Sequence, residues 1–338
     1  MRAYGRRNVL ALAAGLLAAV TACTSDAQPA PTRSAAAVST SPTPSPDEPG
    51  VTRSEAATAF TEFTQTDDTL RVPSDLQGRL AMALDLTMGG QAQLTQAAYL
   101  STDYAPPRRQ WGAPTLYVPR WPQGERSPWF SALATRDGRP TLLTFAKSDR
   151  WRLSSAAEIL PGHEVPKIKL DPDGYASVVA ADDKTVTISP QFMGPVHATV
   201  AETGTAGVTS GLLGEGPYTT EVAEQIAANR AKAKNSGYSY DSIFSADNFP
   251  VYGLRTEDGG ALILYSLSRT TTTTTQTAED DYIAIPDEAR WAITDPVLRR
   301  SLRLVETHQY ATVVPPLTKP AAAPVIAHDG ALTRASGQ

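Results

Sequence analysis

The chain has 338 residues, 41% of them hydrophobic and 19% charged, with 30 basic against 35 acidic side chains and a single cysteine. Such a length and apolar content suffice for a sizeable core. The net charge of −5 speaks against nucleic acid as a partner, since no basic stripe follows a phosphate backbone, and one thiol makes no internal disulfide.

In chain order, the first feature is a basic start (Arg2, Arg6, Arg7) followed by an apolar run from Val9 to Val20. At about twelve residues the run is too short to span a bilayer, which takes roughly 20, and it reads as a secretory signal core. It closes on Val20-Thr21-Ala22-Cys23, which resembles the bacterial lipobox of the lipoprotein signal family. The resemblance implies cleavage after residue 22 and a diacylglyceryl group, with further acylation, on Cys23. Two or three acyl chains would then hold the protein on the membrane permanently. Arg6-Arg7-Asn8-Val9-Leu10 reads either as a loose twin-arginine signal or as an ordinary positive n-region. Without residues 1–22 the balance becomes 27 basic against 35 acidic residues, about −8.

Residues 23–50, with Ser41-Pro42-Thr43-Pro44-Ser45-Pro46, offer almost nothing to bury and are expected to form an extended tether. Folded sequence is expected from Thr52-Arg53-Ser54-Glu55, a capping box, with Ala56, Ala59, Phe60 and Phe63 on one helical face. A second helix is expected from Ser74 to a stop at Gly89-Gly90, and a shorter one across Leu94, Ala97 and Ala98. After Pro106-Pro107-Arg108-Arg109, strands are expected over 115–120, 129–136, 141–147 and 151–154, with Asp137-Gly138 as a tight hairpin turn. A linker-like stretch over 161–173 precedes short strands at 175–179 and 184–189. A helix from Thr220 to the Asn235-Ser236-Gly237 stop carries acids early and bases late, complementing its dipole. Strands follow at 240–245, 251–257, 261–275 (with six threonines, 270–275) and 302–314. A Pro/Ala-rich tail, 317–338, is expected to be loosely held.

The Asp137-Gly138 and Asp258-Gly259 hairpins align, and each follows a helical section. This predicts an α+β chain of two tandem helix-on-antiparallel-sheet domains, residues 51–165 and 175–316. That element order resembles the NTF2/cystatin-like class, in fold only. The signal and lipobox, tether, opening helix, Tyr117-Val118-Pro119-Arg120 strand and Trp129-Phe130 hairpin together resemble a family of actinobacterial lipoproteins. That resemblance transfers no site residue.

Chemistry is sparse. His163, His197, His308 and His328 have no helical spacing that pairs two of them, a zinc site needs three or four converging ligands, and no motif implies a cofactor. Glu306, His308 and Tyr310 alternate along the last predicted strand and share one of its faces. They could serve as acid, base and orienter in a sheet hollow, or form the polar outer face of the strand. Asp171-Pro172-Asp173-Gly174 echoes the start of a calcium loop but has Ala180 where a glutamate is needed, and reads as a turn. Trp111 and Trp121 sit in loop sequence and are candidates for a recognition surface, or for packing over the sheet edge. The leading expectation is a lipid-anchored binding module at the envelope, its partner a protein, wall polymer or small ligand. A small-substrate enzyme and a structural spacer are the alternatives.

Overall fold

In the computed structural model, residues 49–73, 77–276 and 282–338 are described. The signal, Cys23, most of the tether, the helix start expected at Ser74 and the Glu279-Asp280-Asp281 segment lie outside them. Helix α1 (Arg53–Arg71) starts as its capping residues dictate, the Thr52 hydroxyl accepting from the Glu55 amide at 3.0 Å. The Glu55 carboxylate accepts instead from Lys147 Nζ (2.8 Å) and Trp151 Nε1 (3.0 Å), tying the helix start to the sheet. Ala56, Ala59, Phe60 and Phe63 are its buried stripe.

Helices α2 (Arg79–Asp85) and α3 (Gly89–Leu100) follow. The two glycines expected to stop a helix begin one instead. Gly89 enters α3 at φ +57°, and a Cβ on Gly90 would lie 2.8 Å from Ser266 Oγ, so glycine lets α3 press against the sheet. The strands are β1 (Thr115–Tyr117), β2 (Trp129–Arg136), β3 (Arg139–Lys147) and β4 (Trp151–Ile159), then β5 (Tyr238–Ser245), β6 (Tyr252–Arg255), β7 (Ala261–Thr275), β8 (Ser301–Val314) and β9 (Val325–Gly337). Between the groups lie α4 (Pro190–Thr203) and α5 (Thr220–Asn235). At Asp137-Gly138 both residues take positive φ (54° and 81°), the geometry a two-residue turn needs between Arg136 and Arg139.

All strands join one antiparallel sheet in the order β1-β2-β3-β4-β9-β8-β7-β5, with β6 also on β7. This corrects two expectations. The tail is not loose: β9 runs the length of β8, from Leu302↔Gly337 to Thr312↔Val325, and its alternating apolar residues Val325 and Ala327 are buried. Nor does the boundary near 165–175 separate two sheets, because β9, last in sequence, inserts between β8 and β4. The join is narrow, only Glu158↔His328 and Ile159↔Ala327. Where β4 then diverges from β9, the buried Gln309 side chain of β8 stands in for the missing ladder. Its Oε1 accepts from Ala156 N (2.8 Å) and its Nε2 donates to Ser154 O (3.2 Å).

The expected strands at 175–179 and 184–189 amount to isolated bridges at Ala176, Val178 and Val186. Helix α4 was not expected, since Gly194 and Pro195 mask its periodicity.

Helices cover both faces. α1 packs Phe60 and Phe63 on Phe145 of β3, in edge contacts of 6.2 and 5.3 Å. On the other half of the sheet, Met193, Val200 and Ile226 of α4 and α5 bury Ile263, Tyr265 and Tyr310, whereas α3 meets the opposite face through Thr307, whose hydroxyl donates to Gln93 at 2.7 Å. A central core of Trp129, Leu142, Leu254, Leu264, Ala311 and Ile326 is shared by both halves. No helix of the described residues is long and apolar enough to cross a membrane.

Candidate functional site

Glu306, His308 and Tyr310 do share one face of β8, and that face is turned inward beneath α4. Tyr310 is 3% exposed. The strand's alternation puts them together, and the packing of α4 brings in residues that no local spacing links. His197 of α4 and His328 of β9 join His308, so three of the four histidines converge. Ring centroids lie 4.4 Å apart for His197–Tyr310, 5.0 Å for Tyr310–His328 and 5.3 Å for His308–His328. Tyr218 stacks on His328 at 4.0 Å.

The hydrogen bonds have a direction that can be deduced. His197 Nε2 faces the Tyr218 carbonyl at 2.6 Å and must donate to it. Burial lowers the His197 pKa to about 4, so the ring is neutral at pH 7 and its Nδ1 accepts from the Tyr265 hydroxyl at 2.7 Å. With its proton committed, Tyr265 accepts in turn from Thr312 at 2.9 Å. The chain Thr312, Tyr265, His197, Tyr218 is thereby fully ordered. Beside it His308 Nδ1 and His328 Nε2 share a 3.0 Å bond, one donating and one accepting. Gly330, opposite His308 in the ladder, leaves room for the rings: a Cβ there would lie 2.5 Å from His308 Nδ1.

Burial, with His328 and Arg269 nearby, takes His308 down to about 3, and burial takes His328 to about 4. Glu306 is raised by burial despite Arg269, whose guanidinium is 3.5 Å away. His308 Nε2 is buried, has no hydrogen-bond partner, and stands 4.0 Å from Glu306 Oε1. The arrangement can hold neutral rings in fixed tautomers. Of the cluster, Tyr218 alone borders a cleft of about 320 Å³, together with Leu160, His163 and Val325. Among the described residues no group of three or more His, Cys, Asp or Glu side chains is placed to hold a metal ion.

The tryptophans proposed for a recognition surface face inward. Trp111 meets Phe60 and Phe63 edge-on, both at 6.4 Å, and Trp121 meets Trp129 at 5.9 Å while its Nε1 donates to the Trp129 carbonyl at 2.8 Å. Loop residues here cover the core because the sheet edge beneath them is apolar. Asp171-Pro172-Asp173-Gly174 is a turn: Asp171 Oδ1 accepts from the amides of Asp173 (3.0 Å) and Tyr175 (2.9 Å), and Arg120 pairs with both carboxylates.

Two clefts on the opposite, α3 side went unforeseen. One, of about 540 Å³, lies among α3, β9 and the segment 287–291, and is lined by Gln91, Arg109, Glu288, Trp291 and Asp329. The other, about 360 Å³, shares Trp291 and adds Gln96, Arg303, Thr333, Arg334 and Ser336. Ile283, Ala289, Ile293, Leu298 and Leu302 form a small core that pins the Trp291 segment to the sheet. The signals available in sequence were the Arg108-Arg109 pair after two prolines and the isolated Trp291, neither carrying a diagnostic spacing.

A single antiparallel sheet clad by helices on both faces, with clefts of a few hundred Å³ along α3, defines an α+β protein of mixed architecture. The family described as a domain of unknown function, DUF8094, matches residues 47–337, and the chain belongs to it. An uncharacterized lipoprotein of Streptomyces coelicolor is 28% identical over 276 residues, covering 76% of this chain and 74% of that one. A second from the same organism is 26% identical over 276 residues, covering 76% and 78%. An uncharacterized lipoprotein of Streptomyces avermitilis is 31% identical over 151 residues, so that match spans 43% of this chain and 42% of the relative. These relatives agree with the resemblance to actinobacterial lipoproteins drawn from the sequence. No solved structure matches the chain.

Proposed function

We propose that the protein is a lipid-anchored, extracytoplasmic binding protein, tethered through Cys23 by residues 23–50, whose folded body holds a small ligand in the cleft between α3 and the 287–291 segment. One observation carries the binding role: a concavity of about 540 Å³ edged by polar groups that lack hydrogen-bond partners among the described residues, Gln91 Oε1 and Arg109. Ligand sites are concavities of a few hundred Å³ with a few convergent polar groups in a mostly apolar wall. The names of the relatives support the anchor. Mass spectrometry on full-length protein recovered from membranes is expected to find an unaltered small molecule released on denaturation; a chemically converted product after incubation with cell extract would overturn the binding role. For the anchor, Cys23→Ser should move the protein from the membrane fraction to the medium or leave it uncut.

A second reading, a small-substrate enzyme acting through Glu306, His308 and Tyr310, is favoured by the unpartnered His308 Nε2 beside Glu306. It requires that a substrate reach beneath α4. Loss of a measured turnover in His308→Ala, with the fold intact, would establish it.

A further inference from the structure

The cleft beside α3 contains a cation with no hydrogen-bonded partner among the described residues. Arg109 makes no hydrogen bond or ion pair with any described residue, although it is ringed by charges already committed to one another. On one side Asp67 is held by Arg71 at 2.9 Å, and on the other Asp329 is held by Arg136 at 2.8 Å. Of the remaining acids on the cleft, Asp287 is paired with Arg290 at 2.8 Å, and Glu288 is exposed at the rim. Burial and the neighbouring Arg71 charge pull the Arg109 guanidinium down to about 10, although Asp67 and Asp329 act in the opposite direction. Arg109 is half-buried, and a partly desolvated charge without a hydrogen-bonded partner gains from an opposite charge.

A second imbalance lies across Trp291. Arg303 and Arg334 line the adjoining cleft, lack partners among the described residues, and face the same side of the β8–β9 ladder, where Arg334 pairs with Val305 and Arg303 with Ser336. Among the described residues no carboxylate lines that cleft. Like charges set diagonally on one face repel. Three guanidiniums without a hydrogen-bonded partner among the described residues, Arg109 half-buried and Arg303 and Arg334 exposed, are thus grouped around one indole.

Resting on the binding role proposed above, we infer that the ligand is an oxyanion-bearing small molecule, its carboxylate or phosphate received by Arg109 and its apolar part laid against Trp291. Guanidinium matches either oxyanion in a two-pronged hydrogen bond. Gln91 Oε1, buried and without a partner, is placed to accept from a hydroxyl or amine of the same ligand.

The test is calorimetric titration of the full chain in detergent with benzoate, phenyl phosphate, inorganic phosphate and benzylamine. The aromatic anions are expected to bind, benzylamine not to bind, and Arg109→Gln to weaken the anions by about tenfold or more, the worth of one lost charge-assisted pair. Phenyl phosphate against benzoate tells which oxyanion is preferred, and inorganic phosphate isolates the charge from the ring. The same variant separates ligand binding from a structural role: removing a cation without a hydrogen-bonded partner should leave the apo melting temperature unchanged or higher, whereas a structural arginine would lower it. If benzylamine binds as well as benzoate and Trp291→Ala abolishes both, the cleft stands and the anionic ligand falls. If no probe binds and neither variant shifts anything but stability, the binding role itself falls with it.

Discussion

At the scale of single residues, stability hangs on polar side chains that have no alternative partner. Gln309 satisfies two buried backbone groups where β4 leaves β9. Gln309→Leu strands both, and urea denaturation should show a loss of about 2–6 kcal/mol, since each buried unsatisfied group costs about 1–3 kcal/mol; a loss below about 0.5 kcal/mol would show the seam to be held by other means. The histidine cluster makes a pH prediction whose sign follows from the direction of its shifts. His197, His308 and His328 are lowered to about 4, 3 and 4 from an ordinary 6.5, so between those limits the unfolded chain binds more protons than the folded one. Stability is therefore complete above about pH 6.5 and declines as pH falls toward 4 and below, each ring adding up to about 1.4 kcal/mol per pH unit to the slope. Glu306, shifted upward, acts in the opposite sense and blunts the decline near its own titration. Stability curves at pH 7, 6 and 5 should thus be steeper for the native chain than for His328→Gln; equal slopes would mean the rings are wetter than the packing indicates.

At the scale of elements, the contact of α3 with the sheet depends on Gly90. A methyl group is worth up to about 1 kcal/mol in helix propensity, yet at position 90 it would lie 2.8 Å from Ser266 Oγ and 3.1 Å from Ser266 Cβ. Gly90→Ala is expected to destabilise by about 1–3 kcal/mol through overpacking, and Ser266→Gly in the same chain to restore most of the loss. A stabilising Gly90→Ala would mean the helix has room to lift. Elements with a strong local signature were legible in sequence: the Thr52 cap, the Asp137-Gly138 turn, the β-branched run of β7 and the alternation of β8. Others were hidden for physical reasons. Gly194 and Pro195 interrupt the pattern of α4, the prolines before Val325 make β9 look like a tail, and Gly89-Gly90 reads as a stop because sequence cannot show that a strand lies close by. The site was legible only as far as one strand carries it. Alternation placed Glu306, His308 and Tyr310 together, but the meeting of His197, Tyr218 and His328 with them, and the placing of Arg109 and Trp291 on one cleft, are tertiary and have no spacing to read.

For the whole molecule, the two halves were expected as tandem domains, and each does have its own helices. They are nevertheless stitched by β9, which comes last in sequence yet lies between β4 and β8, and by a core drawing Leu142 and Ala157 from one half and Leu264, Ala311 and Ile326 from the other. Thermal unfolding of the full chain should therefore be a single cooperative transition, and truncation after residue 324 should unfold both halves; a surviving transition from the first half would show that it folds alone. The same architecture accounts for where a ligand would sit. β9 supplies Asp329 and Arg334, α3 supplies Gln91 and Gln96, and the pinned 287–291 segment supplies Trp291, so the clefts exist only when the entire sheet is assembled.

The most direct measurement is a heteronuclear NMR titration of the full chain in detergent with benzoate, observing the indole Nε1 of Trp291 and the Arg109 Nε. Saturable shifts at both, with Trp151 and the His308 ring unmoved, are the expected result. Shifts confined to the rings beneath α4, or no saturable shift at Trp291 and Arg109, would contradict the placement of the ligand beside α3.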